Sequence, residues 1–228
     1  MRVGAIFILV CFVFGSCTKT EYKEIDFGYD YYPISVNDYK TFTVDCLVYN
    51  DFTLTTDTFN FFIKDLVKSK KLDEGGRTVY RIERYRKDNQ TDWEIQKVWT
   101  SVFEGQFVEE QFDNIRTVKL AFPVRSGYSW DGNARNILES EDFTYSSNTI
   151  DTVINNVTLK NTRKIEHYYK TDPLQIETAI AYEHYTLQIG LVNRFETFVK
   201  RFTTGVPGEP VIDSGYAVSY NILDYYVQ

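Results

Sequence analysis

The run Thr41-Phe42-Thr43-Val44-Asp45-Cys46-Leu47-Val48 decides the fold class. Phe42, Val44, Cys46 and Val48 fall on every second position, with Thr43 and Asp45 between them. Successive side chains of a strand point to opposite faces, so a period of two describes a strand with one face buried. A helix would need apolar residues three and four apart. The same period recurs at Phe59, Phe61 and Ile63, at Trp93, Ile95, Trp99 and Phe103, and at Val118, Leu120 and Phe122. Turn chemistry separates these runs. Asp73-Glu74-Gly75-Gly76 joins a strand near 58–68 to one near 77–87 as a β-hairpin. Asp131-Gly132-Asn133 is a further break, and Thr204-Gly205-Val206-Pro207-Gly208 is a loop ahead of a final strand at 215–226. Beyond the N-terminal apolar run no long amphipathic helix is expected, and 133–140 leaves room for one short helix. About eleven strands at short spacing predict a mainly β fold, either an antiparallel sandwich or a half-open curved β barrel.

The chain has 228 residues, of which 43% are hydrophobic and 17% aromatic, enough apolar material for a packed core. Its 25 Lys and Arg against 32 Asp and Glu give a net charge of -7. No basic run is present, which argues against nucleic acid as a partner, because phosphate contacts need clustered cations. Three Cys and two His are too few for a zinc ribbon or a haem motif, so neither metal nor cofactor is expected. No G-x-S-x-G, H-E-x-x-H, Walker or dinucleotide fingerprint occurs, and no residue is assigned a catalytic role.

The N-terminus reads as an address. Met1-Arg2 supplies a positive start, Val3 to Phe14 is an almost unbroken apolar run, and Thr18-Lys19-Thr20-Glu21 restores polarity. The run suits a signal peptide and is too short for a transmembrane helix, which needs roughly 20 apolar residues. Gly15-Ser16 directly before Cys17 resembles a bacterial lipobox. That resemblance implies cleavage after Ser16, palmitate or other acyl chains on Cys17, and anchoring to a membrane of the cell envelope. The expected layout is a signal peptide at 1–16, the lipidated Cys17 with a flexible tether to residue 30, and a single β-rich domain over 31–228. Pro33 holds Tyr32 extended, which puts the domain start near Tyr31. Thr18 and Lys19 carry no acidic retention signal, so the outer membrane is expected. The sequence does not choose between its periplasmic and surface faces. Cys11 leaves with the signal and Cys17 takes the lipid, so Cys46 stands alone and is expected to be a buried structural thiol.

Several segments together resemble an uncharacterised family of Bacteroidota cell-envelope lipoproteins. Tyr31-Tyr32-Pro33 followed by Phe42-Thr43-Val44-Asp45 is similar to the family's opening, with Phe42 in place of its usual Trp. Val118-Lys119-Leu120-Ala121-Phe122-Pro123, then Gly127 and Trp130-Asp131-Gly132-Asn133, is similar to its central motif. Tyr182-Glu183-His184-Tyr185 with Ile189-Gly190-Leu191-Val192 is similar to a later segment, where Thr186 replaces the usual alanine and Gln188 the first glycine. The resemblance spans nearly the whole mature chain and implies compartment and fold class, without an activity. Read physically, Gly190 permits a bend between two strands, and Trp130 plugs the core beneath a turn.

Few residues carry chemistry on the sequence alone. His167 and His184 are the only histidines, and Glu177 and Glu183 lie on the strand face opposite His184. Arg81, Arg84, Arg86 and Lys87, interleaved with Tyr80 and Tyr85, form a basic cluster that reads either as a solvated strand face or as a receptor for an anionic sugar or lipid group. Glu109-Glu110, and Glu139 with Glu141, give no glycosidase signature, because that chemistry depends on separation in space. The expected function is a lipid-anchored, non-catalytic binding or scaffolding module for an envelope protein or an amphiphilic ligand. The alternative is an envelope glycan- or lipid-acting hydrolase with a site assembled across strands.

Overall fold

Strand-forming alternation interrupted by Gly, Asn and Asp turns gives one continuous antiparallel sheet. A computed structural model describes residues 26–89, 91–171, 176–202 and 211–228. The expected signal peptide, Cys17, the tether up to residue 25 and the loop at 204–208 lie outside the described residues. The first meander comprises β1 (Tyr39–Asn50), β2 (Thr55–Leu72), β3 (Thr78–Lys87), β4 (Glu94–Glu104), β5 (Phe107–Phe112) and β6 (Ile115–Ala121). Short strands β7 (Ser129–Asp131), β8 (Asp142–Tyr145) and β9 (Ile150–Ile154) follow. The second meander is β10 (Val157–Thr171), β11 (Glu177–Thr186), β12 (Gly190–Phe202) and β13 (Val211–Tyr226).

The strand order is β6-β5-β4-β3-β2-β1-β13-β12-β11-β10-β8-β7, with β9 paired to β10. First and last strands therefore meet in the middle, where Val44 opposes Tyr220. At the other seam the Val118 N–H donates to Gly132 O at 2.9 Å, and Trp130 Nε1 donates to Val118 O at 2.9 Å. The sheet is thus nearly closed and barrel-like, in keeping with the antiparallel sandwich or curved barrel that the alternation predicts. Trp130 is buried against Phe143 and Tyr145, as its motif suggested. Gly132 is needed there, since an added Cβ would lie 2.7 Å from the Phe143 ring. The β11–β12 turn forms with Gln188 itself at a positive φ of 64°, its N–H bonded to Asp30 O at 2.8 Å.

One end of the barrel is floored by the N-terminal segment. Val124 N–H donates to Phe27 O, Tyr31 OH donates to Asn161 O, and Tyr31 packs with Leu120, Phe122, Tyr145 and Tyr185. Among the described residues, packing already includes Phe27, ahead of the start expected near Tyr31. A second apolar cluster joins Phe42, Val44, Ile63, Val192 and Ile222 to Leu159 of the β9–β10 hairpin.

Two local expectations are corrected. The segment 133–140 is a chain of turns, not a helix. Asp131 Oδ1 accepts from the Asn133 and Glu141 N–H groups, and Asn136 Oδ1 accepts from Leu138 N–H, so short polar side chains take donors a helix would use. Cys46 is half-buried and free, because it lies toward the end of β1 away from the floor.

Candidate functional site

A barrel's lumen widens with strand number, and eight strands already leave an interior that side chains just fill. The twelve strands of this circuit enclose more room than the two apolar clusters occupy, and charged residues line what is left. Register places them. Lys40 opposes Asp65, Asp65 opposes Arg84, and Arg84 opposes Lys97 on successive strands. From the other side Glu183 opposes Arg194, and Arg194 opposes Tyr220. Residues directly opposite share a face, so these form an inward belt.

Glu183 is its centre. The carboxylate is 1% exposed, accepts from Lys119 Nζ at 2.6 Å and from Tyr185 OH at 2.9 Å, and has Arg194 Nε 4.0 Å away. His167 Nε2 lies 3.5 Å from it without forming a hydrogen bond, and its ring stacks on Phe143 at 4.0 Å. Burial alone would raise the Glu183 pKa, but Lys119, His167 and Arg194 outweigh burial and hold it well below the ordinary carboxylate range.

Around this centre each charge has a fixed place. Arg84 donates through Nε and Nη2 to the two oxygens of Asp65, both at 2.7 Å. Its guanidinium lies 5.2 Å from the Trp99 ring centre and 5.6 Å from that of Tyr220. Arg194 donates through Nη2 to Glu196 at 2.8 Å, and Tyr216 OH donates to the other Glu196 oxygen at 2.6 Å. Burial would raise the Glu196 pKa, yet the Tyr216 bond and Arg194 lower it. Glu110 accepts from Tyr32 OH at 2.7 Å, tying the belt to the floor.

The belt divides the lumen. Toward the floor lies a small pocket of about 100 Å³ beside Tyr32, Pro33 and Lys40. Toward the opposite end lies a cavity of about 410 Å³, open to solvent and within the size range of small-molecule sites. Its walls combine Arg84, Lys97, Lys119 and Arg194 with Trp99, Phe112, Ile115, Leu138 and Phe143, and Glu110, Glu141 and Glu196 also face it. Lys97 differs from the other cations. Its Nζ sits 3.4 Å from the Phe112 ring centre, and among the described residues no carboxylate lies within 4 Å of it. Burial, followed by Arg84 and Arg194, lowers its pKa.

The residues singled out in the sequence are scattered by the fold. Arg84 turns inward, whereas Arg81 pairs with Glu83 on the outer face, and Arg86 pairs with Asp88 over the Phe61 ring. Glu110 is inside, and Glu109 is outside between Arg116 and Arg135. Glu141 reaches the cavity, while Glu139 gives its backbone oxygen to Asn133. His184 bonds Asn193 at 2.8 Å on the outer face, where burial lowers its pKa. His167, which had no visible sequence partner, is the histidine the fold brings to a carboxylate. Among the described residues no group of three or more His, Cys, Asp or Glu is placed to hold a metal ion.

Lys97, Lys119, Arg194, Asp65 and Glu196 were not singled out from the sequence. Their signal was Lys119 within Val118-Lys119-Leu120, and Arg194 within the alternating run after Leu191. Period two says that two faces differ, but an outward apolar face with charges inside gives the same period. Comparison with protein-family models, curated proteins and solved structures finds no match for this chain.

Proposed function

We propose that this protein is a lipid-anchored, non-catalytic binding module of the bacterial cell envelope whose ligand enters the open end of the barrel. The observation that carries the binding part is the roughly 410 Å³ solvent-connected cavity, which mixes aromatic walls with charged groups at its base. Such a mixture, apolar body with a few placed polar groups, is how small-molecule sites achieve both burial and orientation. The lipobox-like Gly15-Ser16-Cys17 supports the anchor, and the likeness to the Bacteroidota lipoproteins supports the outer membrane as its location. The chain enters at the floor, with Phe27 and Asp30 bonded there. Acyl chains on Cys17 would therefore hold the floor toward the bilayer and turn the mouth away from it.

The His167–Glu183 contact favours a second reading, hydrolysis, because a His–acid pair can activate water. Two features favour binding over it. Glu183 is already held by Lys119 and Tyr185, and no hydroxyl or thiol among the described residues bonds to His167. The test is purification of the intact protein from native membranes, with mass spectrometry of lipids and proteins that come with it. A stoichiometric small molecule or amphiphile that is lost on filling the cavity with Ala181→Trp supports the reading. A preparation free of any bound species, with turnover of envelope glycans or lipids that His167→Gln abolishes, replaces it with the hydrolase.

A further inference from the structure

The open cavity holds cations whose donors the protein does not use. Arg84 commits Nε and Nη2 to Asp65 and leaves Nη1 without an acceptor among the described residues. Arg194 commits Nη2 to Glu196 and likewise leaves Nη1. Lys97 has no carboxylate within 4 Å among those residues and faces the same cavity. Each of the first two acids is consumed by its own guanidinium, and Glu110 by Tyr32. The wall also contains two further nitrogens, Trp99 Nε1 and His167 Nε2, both buried and without a hydrogen-bond partner among the described residues. Buried donors are normally satisfied, and leaving one unpaired costs about 1–3 kcal/mol, so unpaired groups gathered on one cavity call for an occupant.

Beyond these groups the wall becomes apolar. Phe112, Ile115 and Leu138 rim the cavity, and Ile115 and Leu138 are 43% and 52% exposed. Polar donors deep and exposed hydrocarbon at the lip is an amphiphilic arrangement. We infer that the cavity receives an oxyanion head, phosphate or carboxylate, between Lys97, Arg84 and Arg194, with the apolar body of the same molecule against Phe112, Ile115 and Leu138. This rests on the binding-module reading and adds to it the chemical class of the ligand. Guanidinium groups suit such oxyanions, because their planar donors match two oxygens at once. The crowding of Arg84 and Arg194 that disfavours the Lys97 charge becomes attraction for an anion.

The test is calorimetric titration of the intact protein with hexyl phosphate, hexanoate, inorganic phosphate, hexanol and hexylamine. Hexyl phosphate or hexanoate should bind, hexylamine should not, and binding should weaken as salt is raised. Lys97→Gln should lose affinity about ten- to a hundredfold, the effect of removing one charge-assisted bond. Lys97→Arg should retain most of it. Lys97 lies on a half-exposed wall, and an unchanged far-ultraviolet spectrum of both variants certifies the fold. Phosphate- and carboxylate-headed sources are separated by which of the two anions binds more tightly. Hexanol binding as tightly as both anions would overturn the anion site while leaving a binding cavity. Inorganic phosphate binding as tightly as hexyl phosphate would overturn the apolar half. Absence of binding by every probe would overturn the oxyanion-headed ligand class, while the binding reading stands or falls by the co-purification test with Ala181→Trp.

Discussion

Replacing Glu183 by Gln isolates the charge at the centre of the barrel. Gln keeps the shape and an oxygen to accept from Tyr185, so the change removes little but the negative charge. What it leaves behind is Lys119, 12% exposed, with His167, 11% exposed, and Arg194 close by. Breaking a buried ion pair from one side costs about 3–5 kcal/mol, because the remaining charge is stranded. Against a total stability of about 5–15 kcal/mol this is a large fraction. It corresponds to a fall of about 6–20 °C in melting temperature for a domain of this size. Urea unfolding followed by tryptophan fluorescence at neutral pH measures it directly. Adding Lys119→Met should restore most of the loss, since the stranded charge is then gone and Met fills similar space. The acid limb checks the same idea. Glu183 has a folded pKa below its unfolded one, so its contribution is complete above about pH 4.3 and fades as pH falls through the folded value. The variant should lack that part of the acid dependence. A single mutant within about 1 kcal/mol of the parent, or a double mutant worse than the single, would refute the account.

Cys17→Ser should leave the precursor uncleaved and unlabelled by palmitate; normal labelling rules out the lipoprotein reading. Gly132→Ala should destabilise by about 1–3 kcal/mol through overpacking, since its Cβ would meet the Phe143 ring at 2.7 Å, and a thermal melt reads the loss. Trp130→Phe removes the Nε1 bond to Val118 O at the seam. It should cost about 0.5–1.5 kcal/mol and hasten hydrogen exchange of the Val118 amide, which itself bonds Gly132 O. His184 is held below its ordinary pKa by burial, so it contributes stability at neutral pH that falls away as acid protonates it. His184→Gln should therefore flatten the stability profile between about pH 7 and pH 5, and an unchanged slope in denaturant titrations would count against the burial argument.

The alternation at Thr41–Val48 did identify a strand, and Phe42 and Val44 are each 1% exposed as that pattern demands. The same pattern misjudged its ends. Val48 is 37% exposed although it continues the run, whereas Ile95 is 56% exposed because a bulge between Lys97 and Ile95 sets it opposite Tyr85, on the face away from Arg84, and Trp93, 39% exposed, precedes β4. Val48 lies toward the end of β1 away from the floor. Periodicity reports which side chains share a face and is silent on how far along a strand that face stays covered.

The site was less legible than the fold for a related reason. In a filled sandwich the inner face is apolar throughout, so a charge at an inward position reads as an error in phase. Here the inner face changes character along its length. On β1 it runs from Lys40 through Phe42 to Val44, and on β12 from Val192 through Arg194 to Glu196, so each strand presents apolar and charged residues on one side. The sequence therefore shows isolated charges inside apolar runs, as at Lys119, and nothing local says that several strands place theirs at one height. That height is fixed by register: Arg84 meets Asp65 only because β2 and β3 pair with those residues opposite. A slip of one residue would send every belt residue to the outer face. The buried pairs consequently penalise alternative registers, because each misplaced strand would strand a charge in the lumen. The belt that lines the cavity is in this way also a device that selects the pairing of the sheet around it.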